Sequence, residues 1–320
     1  MRGATLQQLR LFASAARHLS FARAAEELHV TQPAVSMQIK SLEDQVGLPL
    51  FDRGHRQLSL TTPGEYFLVY ARRMLSTLKD AEDAMARMRG AQTGRLVIGL
   101  VSTAEYFLPR LLARFVDEHP GVDVELVVGN RQSLVELLGR NEVDLAVMGR
   151  PPKEMETRAE PFAYHPSSVL APMNHPLAAL AHIPPKMLAA ERFIVRESGS
   201  GTRAAMEQFF RDQHLSPSIA MEVGSNEAIK HAVAAGLGLS FLSLHTVHLE
   251  VACNELVVLP VDGLPMYRHW HVVHASAKTL SPAAEAFRYF VLEEGERFID
   301  GLFPELAPPG AGAGARATTA

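Results

Sequence analysis

The chain has 320 residues, 47% of them hydrophobic and 21% charged, with 31 lysine and arginine side chains against 35 aspartate and glutamate side chains. This is the composition of a folded globular protein of two or three domains, and it excludes a chain that is mainly disordered. The single cysteine, Cys253, excludes an internal disulfide, and neither a membrane span nor a secretory signal is evident, so we expect a cytoplasmic protein without a membrane partner. The charge is uneven: the first 90 residues carry +3 and the remainder −7, which favours approach of a polyanion to the first part.

Three short helices are predicted within the first 47 residues. Thr5, Ser20 and Thr31 have side chains that cap helix N-termini, each just before an amphipathic run, and Gly47 is placed to end the third helix. At 100° per residue this third helix buries one side and exposes, near its N-terminal end, Gln32, Pro33, Ser36, Met37 and Lys40.

Two short helices joined by a tight turn, the second with small and polar residues outside, are typical of a helix-turn-helix, whose second helix enters the DNA major groove. Two strand-like runs at 49–51 and 57–60 then flank a loop with Arg53 and Arg56. This hairpin would form a wing against phosphates or in the minor groove and would complete a DNA-binding domain over residues 1–62. A small helical bundle whose polar face is merely solvated stays open as the alternative.

A long helix is predicted over residues 63–90. Thr62 is expected to cap it, with Pro63 at the first helical position and Glu65 completing a capping box. Apolar residues then recur at spacings of four and three, as at the a and d positions of a coiled coil: Phe67, Ala71, Met74, Leu78, Ala81, Met85 and Met88. This stripe predicts pairing of two copies, which suits a reader of palindromic DNA, while packing against the C-terminal part of the same chain is the alternative.

Residues 91–304 are predicted to form an α/β domain with largely parallel strands, because strand-like and helix-like runs alternate there. A late strand and helix are expected to return to the first strands, which gives two lobes joined by crossing segments. Lobe I would comprise 91–161 and 266–304, and lobe II 162–265. Residues 305–320 are rich in glycine and alanine and are expected to be disordered.

Polar residues follow the carboxyl ends of several predicted strands, where ligands bind in open α/β sheets. Glycine-rich turns there leave backbone N–H groups at helix starts, and these favour an anion. The expected effector cleft comprises Ser102, Thr103, Asn130, Arg131, Arg150, Ser200, Gly201, Thr202, Arg203, Ser225 and Asn226. Arg203 is the strongest candidate to bind a carboxylate or phosphate, because it lies in the first turn of a helix after two glycines, and a surface salt bridge is its alternative role.

Residues with the chemistry for catalysis are scattered rather than clustered. His269 and His271 would share one face of a strand, but neither cysteine nor carboxylate accompanies them in the sequence, so a metal site is not expected. Neither a nucleophile motif nor a phosphate-binding lysine loop is recognisable. The sequence therefore predicts a binding protein without a catalytic cofactor, and not an enzyme.

The N-terminal motifs resemble those of the LysR-type transcriptional regulators, and the resemblance extends to about residue 300. It is carried by FARAAEEL at 21–28, VTQPAVS at 30–36, and then Ile39, Lys40, Leu42, Glu43, Gly47, Leu50, Phe51, Arg53, Leu60, Thr61 and Gly64. The resemblance implies a winged helix-turn-helix, a dimerising linker helix and a two-lobed effector domain like a periplasmic binding protein. It further implies a homodimer that assembles into a homotetramer, bends promoter DNA and contacts RNA polymerase, with Gln32, Pro33 and Ser36 reading bases and Arg53 as a wing contact.

Four stretches of the α/β domain, 102–107, 128–131, 143–152 and 197–203, are similar to the activators of carbon-fixation (Calvin–Benson–Bassham) operons within that family. This resemblance implies a phosphorylated metabolite or NADPH as effector, which would favour one closure of the lobes and so alter promoter bending. Two other possibilities stay open. One is a LysR-type sensor of aromatic or dicarboxylic acids, and the other is an α/β enzyme or solute-binding module that does not bind DNA.

Overall fold

A computed structural model describes residues 3–52, 58–88 and 94–306, with backbone alone at 79, 80, 83, 84 and 86–88. Its contacts divide it into two compact units, with the boundary between the long fourth helix and the first strand of the α/β part. The N-terminal unit contains α1 (Leu6–His18), α2 (Phe21–Glu27), α3 (Gln32–Val46), β1 (Phe51–Asp52), β2 (Ser59–Leu60) and α4 (Thr62–Met88).

The first three helices begin where their capping residues predict. Thr5 and Gln8 form a complete capping box, and the hydroxyls of Ser20 and Thr31 each accept a backbone N–H from the turn that follows. Gly47 ends α3 in the left-handed conformation, at φ +79°. The boundaries of the helix-turn-helix are therefore set by local side-chain chemistry.

An aromatic cluster holds the N-terminal unit together. The fully buried ring of Phe12 packs edge-on against Phe51 (5.4 Å between ring centroids) and Phe67 (5.2 Å), which joins α1 to the hairpin and to α4. The predicted inner face of α3 is buried in this core at Val35, Ile39 and Leu42. Packing of that face directs the opposite face of α3 outward.

The start of α4 differs from the sequence prediction in one detail. Thr61, not Thr62, caps the helix: its hydroxyl accepts the Gly64 N–H at 3.0 Å, so Pro63 occupies the second helical position. The reason is that the Thr61 N–H donates to the carbonyl oxygen of Leu50 at 3.0 Å, which keeps Thr61 extended, as a capping residue must be. A Cβ atom on Gly64 would lie 2.0 Å from that same carbonyl oxygen, so glycine is required there.

Only part of the predicted apolar stripe on α4 is available to a partner. Phe67 and Ala71 are buried in the core of the N-terminal unit, so the expectation that a second copy covers them is wrong. The physical reason is that α4 begins packed against α1. Beyond them the stripe continues in exposed or half-buried side chains at Met74, Leu78, Ala81 and Met85. The side chain of Met88 lies outside the described residues.

The C-terminal unit alternates strands and helices, as predicted. Its strands are β3 (Gly94–Val101), β4 (Val122–Gly129), β5 (Leu145–Met148), β6 (Thr157–Pro172), β7 (Arg192–Arg196), β8 (Ser218–Val223), β9 (Ser240–Ser243), β10 (Leu256–Val258) and β11 (Met266–Ala275). Its α-helices are α5 (Leu108–Glu118), α6 (Arg131–Gly139), α7 (Gly201–Asp212), α8 (Asn226–Ala234), α9 (His248–Ala252) and α10 (Pro282–Leu302). Among the helices described in the two units, none has both the length and the apolar composition to cross a bilayer.

The sheet of the C-terminal unit is mixed. Its strand order is β10-β6-β11-β5-β3-β4, with β9 also paired to β6, while β7 and β8 form a separate pair. β3 is parallel to β4 and β5, and β7 is parallel to β8, as predicted. The expectation of largely parallel strands is wrong for β6 and β11, which are antiparallel to each other along the whole of β11. These two strands carry the chain across the unit in opposite directions.

Separate hydrophobic cores lie in the two lobes. In the first, the rings of Phe115 on α5 and Phe287 on α10 lie 5.2 Å apart. In the second, those of Phe193 on β7 and Phe210 on α7 lie 5.1 Å apart. β6 and β11 contribute residues to both cores and are the crossing segments, so the late strand and helix return to the first lobe as predicted.

Candidate functional site

A cleft lies between the two lobes, bordered by the carboxyl ends of β3 and β5, the starts of α6 and α7, and the crossing strands. Eight of the eleven predicted effector residues line it: Ser102, Thr103, Asn130, Arg131, Arg150, Ser200, Gly201 and Thr202. They meet because the carboxyl ends of parallel strands lie at one edge of the sheet. The lining also includes side chains that the sequence analysis did not select: His165, Arg196 and Arg268.

Two helix N-termini meet at this cleft. The Ser200 hydroxyl caps α7 by accepting the N–H groups of Thr202 at 3.2 Å and Arg203 at 3.5 Å. The Asn130 side chain caps α6 by accepting the Ser133 N–H at 3.0 Å. Each helix start carries a partial positive charge, so the backbone itself favours a bound anion here.

Arg268 on β11 is a half-buried cation of the cleft. Its guanidinium donates to the Ser167 hydroxyl at 3.2 Å and to the Gly201 carbonyl oxygen at 3.4 Å, and its Nε is buried without a partner. Within the described parts of the chain it forms no ion pair with a carboxylate. Burial, aided by the charge of Arg150, lowers the pKa of Arg268 to about 10, so the side chain stays charged at neutral pH. A bound anion would supply the missing counter-charge.

The two arginines at the outer rim differ in how they are paired. Arg131 is held by Glu154, with nitrogen–oxygen distances of 2.8 and 3.0 Å, and by the carbonyl oxygen of Arg150 at 3.1 Å. Contact with Arg131 lowers the pKa of Glu154 to about 2. The exposed Arg150 side chain has no carboxylate partner among the described residues. Arg150 is therefore available to a ligand at the rim, whereas Arg131 is already engaged.

Arg196, at the end of β7, links the two lobes. Its guanidinium is buried and pairs with Glu197 at 2.7 Å, and it donates to the Asn226 side chain at 2.6 Å and to the Ser102 hydroxyl at 3.1 Å. Asn226 thus accepts a hydrogen bond from Arg196 and does not itself line the cleft. Ser225 caps α8 and also lies outside the cleft lining. Ser225 and Asn226 do not line the cleft, because Arg196 lies between the start of α8 and the cleft.

Arg203, the strongest candidate from the sequence, does not line the cleft. It borders a neighbouring surface pocket, where its guanidinium pairs with Glu207 at 2.6 Å and Glu222 at 3.2 Å and donates to the carbonyl oxygen of Arg196 at 3.0 Å. The first turn of α7 directs its backbone N–H groups to the cleft side and this side chain toward β8. This geometry matches the alternative role of Arg203, a surface salt bridge.

His165 on β6 lines the cleft from beneath. Its ring is 2% exposed and stacks on Trp270, with 3.9 Å between ring centroids and 15° between planes. The indole N–H of Trp270 in turn donates to Nδ1 of His245 at 3.4 Å. Burial lowers the pKa of His165 well below its ordinary value and that of His245 to about 3, so both rings are neutral at physiological pH.

The outer face of α3 is the candidate nucleic-acid interface. Gln32, Pro33, Met37 and Lys40 are exposed and Ser36 is half-buried, on the side of the helix opposite its buried residues. The hairpin predicted as a wing is present as β1 and β2, paired antiparallel. Its tip, with Arg53 and Arg56, lies outside the described residues.

The side chains with metal-binding chemistry are dispersed in the part of the chain that the structure describes. Within residues 3–52, 58–88 and 94–306, histidine, cysteine and carboxylate side chains form no group of three that could hold a metal ion. The His271 ring contacts the backbone carbonyl of His269 instead.

The fold and the cleft define a helix-turn-helix protein with a two-lobed ligand-binding domain. Residues 6–65 match the model of the bacterial regulatory helix-turn-helix proteins of the lysR family, and residues 89–296 match that of the LysR substrate binding domain. The chain belongs to the LysR family of transcriptional regulators. It is a DNA-binding transcription regulator and not an enzyme.

The chain is similar to named transcriptional regulators and to a solved regulatory domain. The chain is 48% identical over 308 residues to the HTH-type transcriptional regulator CfxR of Cupriavidus necator, covering 96% of this chain and 97% of that one. It is 48% identical over 293 residues to a RuBisCO operon transcriptional regulator of Allochromatium vinosum, covering 92% and 97%. The regulatory domain of Synechocystis CcmR, solved in complex with 2-PG, is 40% identical with a TM-score of 0.61 and covers 63% of this chain and 97% of that domain.

Proposed function

We propose that the protein controls transcription of a carbon-fixation operon in the cytoplasm and responds to a small phosphorylated carboxylate such as 2-phosphoglycolate (2-PG). The target genes are inferred from the relative of Allochromatium vinosum, which is named as a RuBisCO operon transcriptional regulator. The ligand class is inferred from the similar domain solved with 2-PG. The observation that carries the proposal is the half-buried Arg268, which lines the cleft with a buried, unpartnered Nε and no carboxylate partner in the described structure, and is flanked by two helix N-termini.

The charge of the cleft favours a small anion with more than one negative charge. About 340 Å³ between the lining side chains is free of protein atoms, and this space is partly open to solvent. A phosphate would accept from Arg268 and lie at the positive end of the α7 dipole. A carboxylate at the other end would lie near Arg150. An aromatic acid would find few apolar side chains in this lining.

On DNA, we propose that the exposed face of α3 lies in the major groove. Gln32, Pro33, Ser36 and Met37 would contact base edges and Lys40 a phosphate, while Arg53 and Arg56 would contact the backbone or minor groove. This division assigns 1–62 to DNA binding, 63–90 to pairing of two copies and 91–304 to effector binding, with lobe boundaries near 161 and 266. Two dimers would form a homotetramer that bends the promoter and presents it to RNA polymerase.

The ligand can be tested through the single tryptophan of the chain, Trp270. Because its ring stacks on His165, which lines the cleft, binding of 2-PG is expected to change the tryptophan emission and to saturate. Thermal unfolding with 2-PG, NADPH, an aromatic acid and a dicarboxylic acid gives an independent ranking, with the largest stabilisation expected for 2-PG. Stabilisation by an aromatic or dicarboxylic acid alone would contradict the proposed ligand class and support the other type of LysR sensor.

A further inference from the structure

The ring nitrogens of His165 are buried at the cleft, and neither has a hydrogen-bond partner among the described residues. Buried polar atoms of native proteins are almost always paired, because an unpaired one loses its hydrogen bonds to water without replacement. The unpaired atoms point to a contact that forms only when the cleft binds its ligand.

The backbone leaves room for this ring at the end of β5. A Cβ atom on Gly149 would lie 2.3 Å from Nδ1 of His165, so only glycine lets the ring nitrogen approach the strand end. Trp270 supports the opposite face of the ring by stacking. The contact with Gly149 and the stacking on Trp270 therefore fix the position of the His165 ring at the cleft.

The charged and titratable groups around His165 are almost entirely cationic or neutral. β11 contributes Arg268 and His271, the turn after β9 contributes His245, and Arg150 follows β5. Arg196 at the end of β7 is paired with Glu197. Desolvation and the charge of Arg268 oppose protonation of His165, as its lowered pKa indicates. A phosphate dianion in the cleft would place negative charge near His165 and so favour its protonated form.

We propose that His165 contacts the bound ligand and takes up a proton from solvent when an organic phosphate dianion binds, so that binding strengthens as pH falls. The inference rests on the proposed function of the cleft. The added proton converts the ring to an imidazolium whose N–H donates to a phosphate oxygen. By linkage, a group whose pKa rises on binding takes up a proton, and affinity increases by at most about tenfold for each pH unit below the pKa of the complex.

Proton uptake can be measured directly by isothermal titration of the full chain with 2-PG in two buffers of different ionisation enthalpy. At pH 8 the phosphate is already a dianion, since its second pKa is about 6, so uptake there must come from the protein. The matched variants are His165→Gln, which keeps hydrogen-bonding groups but cannot ionise, and His245→Gln, which changes the buried ring outside the cleft. We expect uptake in the parent and in His245→Gln, and weaker binding without uptake in His165→Gln.

Each other outcome has a defined meaning. Binding by the parent without proton uptake at pH 7 or 8 overturns this inference alone, whether or not His165→Gln folds. Equal uptake in His165→Gln, or its loss in His245→Gln, removes the assignment to His165. Failure of the parent to bind 2-PG overturns the proposed function, and this inference with it.

Discussion

Arg268→Gln is expected to weaken 2-PG binding by about 30-fold or more. Removing one partner of a buried, hydrogen-bonded charge pair costs about 2–5 kcal/mol, and 2 kcal/mol corresponds to about a 30-fold change in Kd. Arg268 meets this condition because its guanidinium is enclosed by β6, β11 and the start of α7, and no described carboxylate neutralises it. Titration of the Trp270 emission measures the change, and DNA affinity without ligand should equal that of the parent.

Arg203→Gln is the matched control for this substitution. Both changes remove one positive charge, but Arg203 is paired with Glu207 and Glu222 outside the cleft lining. Surface pairs of this kind contribute about 1 kcal/mol or less, so we expect a change in Kd of only a few fold. A larger loss in Arg203→Gln than in Arg268→Gln would restore Arg203 as the principal anion contact and contradict the site described above.

Met74→Glu is expected to convert the dimer to monomers and to weaken binding to a palindromic promoter by about 100-fold or more. A carboxylate in the apolar seam of paired helices is costly to bury, and a monomer loses the gain from two half-sites bound together. Met74 is 38% exposed in the single chain and begins the part of the α4 stripe that the N-terminal core leaves uncovered. Sedimentation gives the oligomeric state and gel-shift titration the DNA affinity.

Arg73→Gln provides the control, since it makes the same change in net charge at the adjacent exposed position but off the stripe. We expect it to remain dimeric. If Met74→Glu sediments like the parent and binds the promoter equally well, α4 does not pair two copies in the manner proposed.

Features set by neighbouring residues could be predicted well. The helices of the N-terminal unit begin at Thr5, Ser20 and Thr31 because capping depends on a few adjacent atoms. The capping of α4 was misplaced by one residue because Thr61 is held extended by a hairpin contact with Leu50, which is distant in sequence. The same kind of contact explains why Phe67 and Ala71 are covered by α1 rather than by a partner.

The sequence predicts the cleft residues that follow strand ends, but not those that strand pairing brings to the cleft. Ser102, Asn130 and Ser200 follow parallel strands, a pattern visible in the sequence. His165 and Arg268 face the site only because β6 and β11 pair along their length. Only residues 168–170 could be recognised as a strand within β6. Pro161 and Pro166, just before them, lack the backbone N–H that strand pairing needs. The one available signal for Arg268 was a lone arginine in a late strand otherwise made of apolar residues and histidines.

The central claim is that an anion bound between the lobes changes how the N-terminal unit engages DNA. Footprinting of the parent and Arg268→Gln on the promoter of a carbon-fixation operon, with and without 2-PG, tests it most directly. We expect both proteins to protect the promoter without ligand, and 2-PG to alter the protected region for the parent alone. A footprint of the parent that saturating 2-PG leaves unchanged would contradict the account, as would no protection even at low salt.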